Sequence, residues 1–220
     1  MVKIERTPTP PASLAEESIK ATGSYNKQDV IALLKKDFHG KCYICELNDL
    51  TDVQVEHLLP HHNRNIKERV FDWNNLFYSC PHCNSIKKNS KYNEKILDCC
   101  VEDPEKYLDH CYSPQGVTVK PADGIIDEKS KMTADLIQNC FELQNTGIRN
   151  VGCDARFKRL ATTMNILYTT LRKYKENDSS KKYYNALRAM LKREYKFAAF
   201  TRHYVRTHLQ DYPDLSNLVL

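Results

Sequence analysis

A chain of 220 residues, 41% hydrophobic and 28% charged, has the composition of an ordinary globular protein and room for one large domain or two small ones. No stretch comes near the roughly 18 apolar residues of a membrane span, and Lys3, Glu5 and Arg6 followed by prolines lack a signal-peptide core, so a cytoplasmic protein with no membrane partner is expected. Nine cysteines are many for a reducing compartment, and their odd number, with two Cys-x-x-Cys pairs, favours metal ligation over a disulfide framework.

In chain order, residues 1–25 carry Pro8, Pro10 and Pro11 and are expected as an extended N-terminal arm. Val30, Leu33, Leu34 and Phe38 fall at helical spacing, which predicts a helix over 29–38 closed by Gly40. Cys42 and Cys45 form a first knuckle. The alternation in Val53-Gln54-Val55 predicts a short strand leading into Glu56-His57 and stopped by Pro60. A polar loop follows over 61–69. Residues 74–79 return as a turn or strand to the second knuckle, Cys80 and Cys83, and a helix is expected over 84–95. Asp103-Pro104-Glu105 has the form of a helix start and predicts a helix to about residue 110. A strand is expected at 117–119 and helix from 128 onward. After a loop at 145–154, Phe157, Leu160, Met164, Leu167, Leu171 and Tyr174 step along one face of an amphipathic helix. A break at 176–180 precedes a last helical region over 181–209. The expected division is an arm at 1–25, a metal-binding domain at 26–115 and a helical, basic domain at 116–220.

The formal charge of +5 is uneven. Residues 156–206 hold 14 Lys and Arg against 3 Asp and Glu, an excess that suits a polyanion or an acidic partner. The stretch from Cys42 to Lys88 is close to balanced.

Four thiolates from two knuckles provide the tetrahedral site that structural Zn²⁺ favours, so Cys42, Cys45, Cys80 and Cys83 are the expected zinc ligands. The other cysteines, Cys99, Cys100, Cys111, Cys140 and Cys153, read as small buried hydrophobes. Phosphodiester hydrolysis needs a base and a cation. Glu56 and the amide oxygen of Asn84 are hard donors suited to Mg²⁺ or Mn²⁺, and His57 is then left as the base. Asn75 reads as a brace for the loop and Lys87, one turn beyond Asn84, as a phosphate contact. His61 and His62, in the polar loop, read as solvated, with contact to the phosphate or to a third metal position as the alternative. The residues alone also allow a non-catalytic zinc module that binds nucleic acid or protein.

The series Cys-x-x-Cys, Glu-His-x-x-Pro, Trp-x-Asn-Leu and Cys-x-x-Cys-Asn-x-x-Lys, over about 47 residues, resembles the HNH endonuclease motif. The resemblance implies a zinc-stapled ββα-metal nuclease module in an α+β, mainly α, chain with a helical C-terminal domain. It implies His57 as general base, Asn75 as the central structural residue, and Glu56 and Asn84 as ligands of the catalytic metal, with Asn84 standing where many members have His. Met1 to Arg6 with the prolines that follow, the Ser79 to Asn84 run and Asp103-Pro104-Glu105 are similar to the PtuB-like HNH proteins of Septu-type and retron-associated antiphage systems. That likeness implies a defence effector that cuts DNA, or RNA such as tRNA, beside an ABC/SMC-like ATPase partner, and in a retron setting an RNA/DNA assembly.

Overall fold

Two short strands and the helix after them form the frame on which the first half of the chain is hung. In the computed structural model, which describes residues 1–142, 148–177 and 180–220, β1 (Gln54–His57) pairs antiparallel with β2 (Leu76–Ser79), matching Val55 with Tyr78 and His57 with Leu76. β2 is buried along its whole length, so its Leu-Phe-Tyr run carries no polar face. Cys80 then caps the helix that follows. Its Sγ accepts from the Cys83 N–H, and Pro81 takes the first helical position, where a missing N–H costs nothing.

Three helices flank this frame: α1 (Ala12–Ser18), α2 (Gln28–Asp37) and α3 (Lys67–Val70), with α4 (Pro81–Lys87) as the one that Cys80 caps. α2 lies where its apolar spacing predicts and ends in a left-handed turn at His39 and Gly40, with the Gly40 N–H on the Lys35 carbonyl. The arm is extended only to Pro11. α1 follows because Leu14 finds a buried place and Ser13 binds the Asp29 carboxylate through both its N–H and hydroxyl. Met1, Val2 and Ile4 are buried. Arg6 donates to the Trp73 and Leu76 carbonyls with its charge over the Trp73 and Phe77 rings.

The helix expected to reach residue 110 is a single 3-10 turn, Pro104–Lys106. The chain then enters β3 (Leu108–Ser113), which pairs with β4 (Gly116–Pro121). Leu108 and His110 alternate with more exposed neighbours, as do Val117 and Val119 on the partner strand. This period of two, fixed by a hairpin that turns at Pro114 and Gln115 and matches Ser113 with Gly116, limits the start signal to one turn. The helix expected over 84–95 stops at Lys87, because Asn89 accepts from the Lys91 N–H and opens a separate turn.

The remainder is helical: α5 (Glu128–Phe141), α6 (Ile148–Glu176), α7 (Lys181–Met190), α8 (Ala198–Thr207) and α9 (Ser216–Val219). The loop expected at 145–154 lies partly outside the described residues and is helical from Ile148 onward, and the break at 176–180 also lies partly outside them. The region 181–209 is two helices, since Phe197 takes a left-handed conformation (φ 53°) before α8. Among the described residues one buried cluster takes side chains from every part of the chain, Met1 and Ile4 to Leu215 and Val219. The fold is thus mainly helical α+β with two small antiparallel sheets. Among these residues no helix is long and apolar enough to cross a membrane.

Candidate functional site

Cys42 and Cys45 leave the end of α2 on a turn closed by the Glu46 N–H on the Cys42 carbonyl. The Tyr43 N–H bonds the Tyr78 carbonyl, which sets this turn against the Cys80 and Cys83 end of β2. All four sulfurs are buried and lie within 4.8 Å of one another. Ligands about 2.3 Å from a tetrahedral ion give sulfur separations of that order, so the cluster can hold a metal such as zinc. Hydrogen bonds from Cys42, Cys45 and Cys83 hold the Cys80 thiol far below its ordinary range, while burial pushes Cys45 and Cys83 up. The Arg156 guanidinium, from α6, donates to Cys80 Sγ at 3.0 Å and to the Gly152 carbonyl at 2.7 Å. A buried cation beside four thiolates offsets the net negative charge that a divalent ion would leave. Of the other cysteines, Cys99, Cys140 and Cys153 are buried, Cys100 is partly buried and Cys111 is exposed.

Glu56, His57, Asn84 and Lys87 line one cavity of about 340 Å³ between β1, the loop after Pro60 and α4. His57 is nearly buried, with Nε2 3.0 Å from the Val70 carbonyl. A carbonyl only accepts, so Nε2 carries the proton and Nδ1 keeps its lone pair. Burial pushes the imidazole down to about 4, against the Val70 bond, so it is neutral at neutral pH. The Tyr25 and His61 rings each stand edge-on to it at 4.5 Å. The Asn84 Nδ2 donates to Gln54 Oε1, which leaves the amide oxygen as the donor atom for the cavity.

Asn75 lies behind this wall. Its Oδ1 accepts from the Leu59 N–H at 2.7 Å, and its Nδ2 reaches the Leu59 and Arg69 carbonyls at 3.0 and 2.9 Å. It thereby ties the segment after β1 to α3, whose Val70 holds His57. Lys87 has a different task from the phosphate contact expected of it. Its ammonium is buried and makes a 2.7 Å ion pair with Glu56 and hydrogen bonds to the His57 and Leu58 carbonyls at 3.1 and 2.9 Å. An ammonium has three donors, and these contacts occupy all three. The second Glu56 oxygen accepts from the Tyr43 hydroxyl at 2.7 Å. Burial raises the Glu56 pKa, and Lys87 and Tyr43 pull it back.

The exposed cation on this wall is Lys88, one residue on. Tyr25 and His61 also belong to the wall, and no spacing in the sequence marks either. The basic excess at 156–206 is smaller at the surface than in sequence. Arg156 sits on the cysteine cluster, while Arg193, Arg202 and Arg206 converge on the buried carboxylate of Glu105 at 2.8, 2.7 and 3.2 Å.

No family model matches the chain. A segment covering 39% of the chain is 29% identical to the Septu protein PtuB of Bacillus mycoides (strain KBAB4), over 40% of that protein's length.

Proposed function

We propose that the chain is the nucleic-acid-cutting subunit of a Septu-type antiphage defence system, an HNH-type phosphodiester hydrolase. The observation that carries this reading is the His57 imidazole, held by the Val70 carbonyl with its Nδ1 lone pair available, in one cavity with Asn84 and Lys88. The likeness to PtuB adds the defence setting. His57 takes the proton of the attacking water at Nδ1. Asn75 keeps α3, which carries Val70, and so the ring, in place. Lys88 binds a phosphate of the strand at the mouth of the cavity.

The Glu56 carboxylate and the Asn84 amide oxygen would hold Mg²⁺ or Mn²⁺. The donor chemistry fits, since a carboxylate has about four lone-pair sites and Lys87 and Tyr43 take two. Such an ion, when bound, neutralises charge on the phosphate. The four cysteines would hold Zn²⁺ and do no chemistry, because a tetrathiolate site leaves no open position. DNA is the proposed substrate, RNA such as tRNA the alternative, and an ABC/SMC-like ATPase the proposed partner. A retron assembly is the alternative context.

The test uses purified full-length protein, with and without the ATPase encoded beside it, on supercoiled plasmid and on tRNA in Mg²⁺ or Mn²⁺. Wild type cuts one of the two, and His57→Ala keeps its zinc and fold and loses cleavage. Cutting by His57→Ala at the wild-type rate would remove His57 from the chemistry. No cutting by wild type in any arm overturns the nuclease reading in favour of a binding module.

A further inference from the structure

His61 stands on the loop between β1 and α3, where His62, Asn63 and Arg64 in succession adopt left-handed conformations with φ of 46°, 55° and 68°. Each such residue costs about 1–2 kcal/mol when it is not glycine. Three in a row persist only where the surroundings hold them, and such strain gathers at functional sites. The visible product of this turn is that the Arg64 N–H points back at His61 and donates to its Nδ1 at 2.9 Å. A backbone N–H cannot accept, so Nδ1 is the acceptor and the proton of the neutral ring sits on Nε2. Burial lowers the His61 pKa, which keeps the ring neutral. His57 carries its proton on Nε2 as well, but there Nε2 is the tied nitrogen. The two rings therefore share a tautomer and present opposite atoms, with their centroids 4.5 Å apart and their planes at 81°.

We propose that His57 and His61 form a complementary pair on one phosphate: His57 offers an empty Nδ1 to the attacking water, and His61 offers Nε2–H to a non-bridging phosphate oxygen. Water gives its proton to His57 Nδ1 and its oxygen bonds to phosphorus. The bond to the leaving ester oxygen breaks with its electron pair on that oxygen, which takes a proton from solvent. His61 keeps its proton throughout and orients the phosphate. This inference rests on the nuclease reading, but the donor can be read without turnover.

The experiment has two readouts on the zinc-loaded full chain. Long-range ¹H–¹⁵N spectra at neutral pH report the tautomer of each ring, and titration with inorganic phosphate and a dinucleoside monophosphate reports contact. Nε2–H on both rings, with the His61 Nε2 resonance moving on phosphate addition, supports the pair. An Nδ1–H tautomer at His61, or no movement, overturns it. In cleavage, His61→Ala raises KM about tenfold or more, the loss expected for a hydrogen bond to a charged group. His61→Gln, which keeps an N–H donor of similar reach, restores most of it. Equal rates for wild type, Ala and Gln sink the inference while leaving the nuclease reading intact. A wild type that never cuts but shows both spectroscopic results removes the nuclease reading and keeps His61 as a phosphate donor.

Discussion

Lys87→Met separates a buried structural ammonium from one that serves the substrate. Methionine keeps the stem of the side chain and removes its charge. The variant loses the 2.7 Å pair with Glu56 and the donors to the His57 and Leu58 carbonyls, and leaves a carboxylate that is 6% exposed without its counter-charge. Breaking a buried pair from one side costs about 3–5 kcal/mol, against at most about 1 kcal/mol for a solvated lysine. The loss at pH 7 is expected near the lower end of that range, because the unpaired Glu56, its pKa already raised by burial, can take up a proton. The deficit should therefore shrink as the pH falls toward 5, since protonation removes the orphaned charge. Glu56→Gln/Lys87→Met should recover more than half of it. Urea unfolding of zinc-loaded protein at both pH values measures all three variants. A loss under about 1 kcal/mol at pH 7, with no coupling between the two positions, would show that the ammonium is solvated and free to reach a phosphate.

Arg156→Met should lower stability by about 3 kcal/mol and speed zinc release to a chelator, because the cluster loses the cation 3.0 Å from Cys80; release at the wild-type rate would exclude that role. Asn75→Ala orphans the Leu59 N–H and two carbonyls and should cost about 2–4 kcal/mol, with cleavage falling further than stability explains because His57 loses its backbone support; a thermal-melt change under a few degrees would refute the brace. The His57 ring should titrate near pH 4 by NMR, its folded value being depressed to about 4 from 6.5. The unfolded chain binds the proton first, so this group's contribution is present above pH 6.5 and is lost as pH falls through 4, about 3 kcal/mol in all; a midpoint above 6 would contradict the buried setting.

The cysteine cluster and the frame around it were legible in the sequence because each depends on local spacing. Two Cys-x-x-Cys pairs, an apolar helix before them and a Pro-stopped strand between them lie within 55 residues of one another. What escaped depends on rotation, on a masked signal or on distant partners. Lys87 and Lys88 are adjacent, but a step of about 100° at the end of α4 sends the first inward to Glu56 and leaves the second at the cavity. The hairpin over 108–121 is local, turning at Pro114 and Gln115, but the Asp-Pro start signal before it masks its first strand, although that signal carries only one turn. The position of His61 in the polar loop allows a phosphate contact, but no spacing favours it over solvent, because its orientation comes from three successive left-handed residues, His62, Asn63 and Arg64. Arg156 counts as surface charge in any sum along the sequence, and only the packing of α6 over the knuckles reveals it as a partner of Cys80.

The same sorting changes the electrostatic picture of the cleft. From Cys42 to Lys88 the sequence looks nearly neutral, which suggests a catalytic centre with little hold on a polyanion. Glu56, however, is matched by Lys87 inside the wall, and Glu46 is buried against Lys41, so neither carboxylate projects a charge toward a strand. Lys88 remains exposed on the cavity wall. The cleft is therefore more positive than its composition. The helical half is less so, because four of its 14 cations answer thiols and the Glu105 carboxylate. Charge that holds a fold together is unavailable to a ligand, and here that moves part of the grip from the helices to the mouth of the cavity itself.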